Sequence, residues 1–153
     1  MATAMHRATL DGRVLANRLR PAHTHWTRLR GLLGTRRLEA GEGLWIKPCN
    51  QVHMLGMRYA IDVVFLDDDA RVLRVVNALQ PNRISPRVKG ATSVLELPAG
   101  TLTRVGLTEG ARVEIEHAAP PARASGSPLA PLHHGRPERP EERELSHEDR
   151  QRA

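Results

Sequence analysis

The order of apolar and polar positions divides the chain into short segments of changing period. Thr9, Leu10, Asp11, Gly12, Arg13, Val14 and Leu15 set an Asp-Gly pair among alternating neighbours. Glycine accepts positive φ without steric penalty, so the pair predicts a tight turn and a short opening hairpin. After Pro21 the period lengthens: Ala22, Trp26, Leu29 and Leu33 fall at i, i+4, i+7 and i+11, the single apolar stripe of a helix. Pro21 suits its first turn and Gly34 its end, with Arg28 and Arg30 flanking the stripe toward water. Beyond a glycine-bearing turn at 39–43, Leu44, Trp45, Ile46 and Lys47 read as a strand stopped by Pro48, which cannot donate to a ladder.

The strongest β signal follows. Residues 60–66 and 71–76 are β-branched runs separated by Asp67, Asp68, Asp69 and Ala70, which predicts a hairpin with a polar loop. Apolar residues occupy both parities of each run, so both faces of the pair are expected to be covered. Residues 80–90, with Pro81 and Pro86, form a loop placed to hang over a neighbouring site. Residues 93–97, 101–106 and 112–116 are predicted as three further strands, with turns at Pro98-Ala99-Gly100 and Thr108-Glu109-Gly110-Ala111. Such closely spaced turns indicate a sandwich or barrel rather than βαβ winding. The fold class is therefore mainly β, a small β-sandwich or barrel-like domain over residues 1–117 with one packed amphipathic helix.

Composition changes the picture at the C-terminus. Residues 118–153 hold six of the eleven prolines, no aromatic residue and almost no apolar run. Such a segment cannot bury enough surface to offset the entropy of ordering, and it reads as a disordered Pro/Arg/Glu-rich tail with at most a transient helix in its last ten residues. Its six arginines are matched by six acids, so the formal charge of +6 arises elsewhere. Residues 1–37 carry eight arginines against one acid, whereas residues 38–117 carry nine bases against ten acids. That basic quarter could attract phosphate backbones or anionic lipid, but it lacks the aromatic interleaving that single-strand binders use for stacking. A solvated basic face is the ordinary reading, and nucleic acid is not the favoured partner.

Cys49 is the only cysteine, which excludes an intrachain disulfide and a zinc site of the paired CxxC type. No apolar run approaches the ~20 residues of a membrane-spanning helix, and the first twenty residues lack the apolar core of a signal peptide. A cytoplasmic location is expected.

Candidate chemistry concentrates in the segment before the hairpin. Cys49, His53, Met57 and Asp62 lie within fourteen positions. Singly, each has an ordinary structural explanation as a small hydrophobe, a solvated ring, a gap-filler and an anchoring acid. The spacing Cys-x3-His-x3-Met is that of the blue-copper ligand loop, yet a second histidine, His23 or His25, would have to come from the predicted helix. No metal is expected; Cys49, His53 and Met57 are the candidates if one binds. A Cys49/His53 nucleophile pair would need a turn at residues 49–51, since extended chain would leave the two side chains about 13 Å apart. Asp62 interrupts an apolar strand and should find Arg58 or a turn of backbone as its partner, and Glu96 interrupts the run Val94-Leu95-Leu97 in the same way. The two acids could converge on one site or each neutralise an arginine. No nucleotide-binding glycine loop, nucleophile elbow, zinc-protease helix or calcium loop is present.

The stretch CNQVHMLGMRYAIDVVFLDDDARVLRVVN at 49–77, with GLLGTRRLEAGEGLWI before it and SVLELPAGTLTRVGLTEGARVEIE after it, resembles a bacterial family, domain of unknown function 192. The more widespread pattern of that family has Trp-Met-x-Asn-Thr where this chain has His53-Met54-Leu55-Gly56-Met57, and Pro-Leu-Asp where it has Ala60-Ile61-Asp62. A His/Cys-containing branch is closer, sharing Cys49, Val52-His53 and Gly56-Met57-Arg58. Ala70 and Ala111 stand where the family often has glycine and aspartate, which weakens the turn geometry there. The resemblance implies a β-sandwich fold and no settled activity.

The expected function is a non-catalytic ligand- or protein-binding accessory module, with no cofactor, using a cleft formed by Trp45, Cys49, His53, Met57, Arg58, Tyr59, Asp62 and Glu96. The alternatives are a metal- or thiol-dependent enzyme using Cys49, His53 and Asp62, and a weak nucleic-acid or anionic-surface binder using the basic N-terminal quarter. The partner would be a small ligand or another protein.

Overall fold

Asp11 and Gly12 both take positive φ, 47° and 75°, as a two-residue hairpin turn with right-twisted strands demands. They join strand β1 (His6–Leu10) to antiparallel β2 (Arg13–Ala22). The computed structural model describes residues 4–24 and 31–118. The strands that follow are β3 (Glu42–Ile46), β4 (Ile61–Leu66), β5 (Val72–Leu79), β6 (Ser93–Pro98) and β7 (Glu114–His117). They form one seven-stranded sheet in the order β5-β4-β6-β3-β2-β1-β7, antiparallel except for the parallel β2–β3 pair.

The two ends of this sheet approach each other. Val72 donates its backbone N–H to Ala111 O at 2.8 Å, Gly110 donates to Val72 O at 2.8 Å, and Val113 donates to Ala70 O at 2.9 Å. These bonds tie the segment leading into β7 to the start of β5, so the sheet curls into a barrel-like body without a flat open edge at that point.

Two apolar clusters result. One gathers Leu15, Leu19, Val64, Leu66, Leu95 and Leu97 with Leu102 and Val105, the apolar side of a short helix α1 (Thr101–Val105). The other lies on the opposite face of β3, β4 and β6, where Leu44, Ile46, Val63, Phe65 and Val94 pack beneath Leu32, Val52 and Met54. Every residue of β4 is buried. Its two apolar parities are thereby explained, since Val64 and Leu66 enter one cluster while Ile61, Val63 and Phe65 enter the other. The double covering is partial at the edge strand β5: Val72 and Val75 pack with the first cluster and Val76 and Leu79 with the second, while Arg74, Asn77 and Ala78 are exposed.

Two further expectations are corrected. The run 101–106 is helix rather than strand, because Thr101, Leu102 and Val105 are buried at helical spacing and Gly106, at φ 72°, closes the turn by donating to Leu102 O. Tertiary packing there overrides the β-branched composition. Nor does a helix begin at Pro21. Strand β2 continues through Pro21 and Ala22 beside Trp45 and Ile46, and Lys47 donates to Ala22 O. The β1 pairing of β2 ends at Leu19, so the N–H that Pro21 lacks has no ladder to serve. The middle of the predicted helix, residues 25–30, lies outside the described residues, as do residues 119–153, which make up the predicted tail beyond Ala118. At the helix's expected end, Leu32 O accepts from both the backbone N–H and the hydroxyl of Thr35, and Gly34 takes a φ of 81°.

Candidate functional site

After β3 the chain crosses the outer face of the sheet as an irregular segment, residues 49–59, before it enters β4. Loop 80–91 holds that segment in place. Met54 donates to Arg83 O, Asn82 to Met54 O, Ser85 to Val52 O and Val88 to Asn50 O, all between 2.7 and 2.9 Å. Two side chains tighten the seam: Val52 N–H donates to Ser85 Oγ at 2.9 Å, and the Gln51 amide donates to Ser85 O at 3.1 Å. The loop expected to hang over the site is thus fastened alongside segment 49–59, and none of its described residues lines the hollow beneath.

That hollow has a volume of about 250 Å³. Its walls are apolar, formed by Leu32, Ile46, Val52, Met54 and Met57, with Leu33 and Leu55 at the rim. Gly56 takes a φ of 77°, and a Cβ added to it would meet Leu33 Cδ2 at 3.3 Å; glycine permits both the left-handed turn and the close approach. The polar groups facing the hollow are Cys49, Gln51, His53 and Glu96.

Glu96 is the chemically unusual one. Register places Arg20, Leu44, Glu96 and Val63 in one row across β2, β3, β6 and β4, so the carboxyl stands between two aliphatic neighbours near the middle of the sheet. It is only 6% exposed. No hydrogen bond or ion pair to Glu96 occurs among the described residues. Burial pushes its carboxyl up to about 7, with the Arg20 guanidinium opposing. Two strand spacings put the Arg20 and Glu96 backbones roughly 10 Å apart, and no ion pair joins their side chains among the described residues.

The other predicted residues fall into two groups. Cys49, His53 and Met57 face the same hollow as Glu96. Cys49 is half-buried and its thiol donates to Gln51 O at 3.2 Å, while His53 is exposed and pairs with Ile84 across an isolated bridge. Trp45, Arg58, Tyr59 and Asp62 do not line it. Trp45 points to the opposite face of β3, edge-on to the rings of His6 and His23 at 5.4 and 5.2 Å. Burial, followed by the neighbouring His117 and His23, lowers the pKa of His6 in that cluster. Tyr59 packs against the cluster beneath the hollow, its hydroxyl 2.5 Å from Thr35 Oγ1, and burial is the main influence raising its pKa. Arg58 is exposed.

Asp62 corrects the expectation that two acids might converge. It pairs with Leu97 while Glu96 pairs with Val63, so the two carboxyls project from opposite faces of the sheet. Its partners are backbone: Ala78 N–H donates to Oδ1 and Leu102 N–H to Oδ2, each at 2.9 Å. Asp62 therefore clamps the end of β5 to the first turn of α1, and the trio Cys49, His53 and Asp62 is not assembled. Of the two upstream ligands considered for copper, His23 packs edge-on against Trp45, and His25 lies outside the described residues. No group of three His, Cys, Asp or Glu side chains suited to one metal ion occurs among the described residues.

The model of the family termed domain of unknown function 192, described as an uncharacterized ACR, matches residues 6–115. The chain belongs to this family. The match runs from the first residue of β1 into β7 and includes every described residue that lines the hollow. Two solved structures share the domain of unknown function 192 fold seen here. A protein of unknown function from Novosphingobium aromaticivorans DSM 12444 has a TM-score of 0.63 at 23% identity, covering 71% of this chain and 82% of its own. A candidate transcription regulator from Sinorhizobium meliloti 1021 has a TM-score of 0.61 at 22% identity, covering 74% and 96%. No curated protein matches. Among the described residues no helix is long and apolar enough to cross a membrane.

Sequence reasoning missed the lining residues Leu32, Leu33, Gln51, Val52, Met54 and Leu55. Leu33 carried a signal, as the last residue of the apolar stripe, but it pointed to a helix face rather than a rim. Met54 and Leu55 sat inside the quoted family pattern without any period to mark one as buried and the other as exposed.

Proposed function

We propose that this chain is a non-catalytic binding module whose hollow beneath segment 49–59 receives a small ligand or one protruding side chain of a partner protein. The observation that carries this reading is where exposed apolar surface gathers. Among the described residues three large hydrophobic side chains are exposed, Leu33 at 40%, Leu55 at 52% and Ile84 at 58%. The first two rim the hollow and the third pairs with His53 on its wall. Apolar surface collected at a concave mouth is the usual mark of an interaction site, whereas scattered single residues are not. A volume of about 250 Å³ lies just below the ~300–1,000 Å³ typical of small-molecule sites, so the occupant is small. The walls are pre-formed, because the seam between segment 49–59 and loop 80–91 is hydrogen-bonded along its length.

A thiol enzyme has less support. The Cys49 thiol donates to the Gln51 carbonyl, and Asp62, the third residue of the expected trio, serves the other face. Surface binding through the basic quarter is weakened because Arg18 is 3.5 Å from Glu42 and Arg37 pairs with Glu39. Thermal-shift screening of metabolites and short peptides against the chain and its Leu55→Glu variant tests the proposal. Stabilising compounds should lose their effect in the variant. Hits that stabilise both proteins equally, or no hits at all, would overturn it.

A further inference from the structure

We infer that the occupant of this hollow is a small free organic amine, bound with its apolar body against Leu32, Ile46 and Met54 and its ammonium group on the Glu96 carboxylate. The inference rests on the binding reading above and adds the ligand's chemistry.

The lining contains one acid and no lysine or arginine among the described residues. A carboxylate or phosphate ligand would meet the charge of Glu96 with nothing among the described lining residues to neutralise either group. A wholly apolar ligand would exclude water from a carboxyl that has no hydrogen-bond or ion-pair partner among the described residues, at the full desolvation cost of that group. An ammonium ion removes both difficulties, since it supplies three donors and the missing charge in a low-dielectric setting where such a pair is strong. The carboxyl comes from β6 at the centre of the sheet rather than from a mobile surface loop, so its position is set by ladders on both sides. Around it stand Leu44 from β3, Val63 from β4 and Arg20 from β2, with Cys49, His53 and Tyr59 contributed by segment 49–59. Arg20 is the only permanently cationic side chain of this set, and it is a strand away from the acid's immediate neighbours.

A free amine is favoured over the lysine of a partner protein by the charge of the flanking chain. Residues 1–37 carry eight arginines and one acid, which repel a basic protein face more than a single small cation.

Binding of the amine also has a proton signature. Below about pH 7 the Glu96 carboxyl holds a proton that the ammonium group must displace, so affinity should rise about tenfold per pH unit up to that point and then level.

The test uses the full chain with benzylamine, benzyl alcohol and benzoate, three ligands of matched body, followed by amide chemical shifts in nuclear magnetic resonance. Benzylamine is expected to bind at least tenfold more tightly than benzyl alcohol at pH 8, with benzoate weakest. Glu96→Gln should abolish the amine preference, so that benzylamine and benzyl alcohol bind the variant within about twofold of each other. Equal binding of amine and alcohol by the unmodified chain, or an amine preference that survives Glu96→Gln, would overturn the inference and leave the hollow as a neutral apolar site. A lysine-containing peptide binding more tightly than benzylamine would overturn the free-amine assignment. Failure of all three ligands to shift resonances of residues 49–57 would sink the inference and the binding reading together. Titration of the unmodified chain from pH 5 to 8 provides a second measurement independent of the variant, and a flat affinity profile would also count against the inference.

Discussion

Replacing Glu96 by glutamine should make the protein more stable at neutral pH, and the size of the gain follows from the burial of the carboxyl. In the folded chain the group titrates at about 7 instead of 4.5. Below pH 4.5 it is protonated in both folded and unfolded chains and contributes no difference. Between pH 4.5 and 7 the folded state binds more protons than the unfolded state, so stability falls as pH rises; above 7 the deficit is complete. About 2.5 pH units at 1.36 kcal/mol each gives a loss of about 3 kcal/mol. Glutamine has nearly the same shape and does not titrate. Urea denaturation followed by tryptophan fluorescence at pH 4, 6 and 8 should therefore give similar midpoints for the two proteins at pH 4. At pH 8 the variant's midpoint should lie higher by about 1–3 M, for slopes of about 1–3 kcal/mol per M. Parallel pH profiles would refute the reasoning, because they would mean that the carboxylate is solvated or paired in the fold. An acid kept where its amide would be more stable is the pattern expected of a functional position.

The remaining predictions concern the scaffold that holds the site. Asp62→Ala removes a buried acceptor from the N–H groups of Ala78 and Leu102 and should cost about 2–5 kcal/mol in chemical denaturation; a loss below 1 kcal/mol would show that water replaces it. Ala70 sits in the β4–β5 turn at a φ of 57°, so Ala70→Gly should stabilise the chain by up to about 1 kcal/mol despite the added freedom of the unfolded state, and a lowered melting temperature would contradict that. At Gly43 a Cβ would stand 2.9 Å from Leu19 Cδ1, 3.0 Å from Leu97 Cδ2 and 3.2 Å from Glu96 O. Gly43→Ala is expected to destabilise by about 1–3 kcal/mol and to disturb the amide resonances of β6, whereas an unchanged spectrum would show that the neighbours give way freely.

Local chemistry was legible where it acts over a few residues. The Asp11-Gly12 hairpin, the β4–β5 pair around Asp67 and the strand at Trp45 all follow from turn residues and β-branched runs whose effect needs no distant partner. The family resemblance was carried by the same contiguous residues, and the match over 6–115 agrees with it. Where local preference and tertiary burial disagree, the reading fails. Residues 101–105 look like a strand until Asp62, forty positions earlier than Leu102, caps the turn and Leu102 and Val105 enter the core. Pro21 looks like a helix start until β3 supplies a parallel partner.

The candidate site divides along the same line. The sequence by itself determined that Cys49, His53 and Met57 lie close together on one segment, that Asp62 and Glu96 are acids set into apolar strands, and that no second cysteine is at hand. Only the tertiary structure decided which of these share a face. Side chains alternate along a strand, so the antiparallel register of β4 on β6, which pairs Asp62 with Leu97 and Glu96 with Val63, sends one carboxyl to the backbone of α1 and the other into the hollow. A shift of one residue in that pairing would bring both carboxyls to one face, and nothing in the spacing of residues along the chain encodes the register, because it is set by the summed burial of both faces.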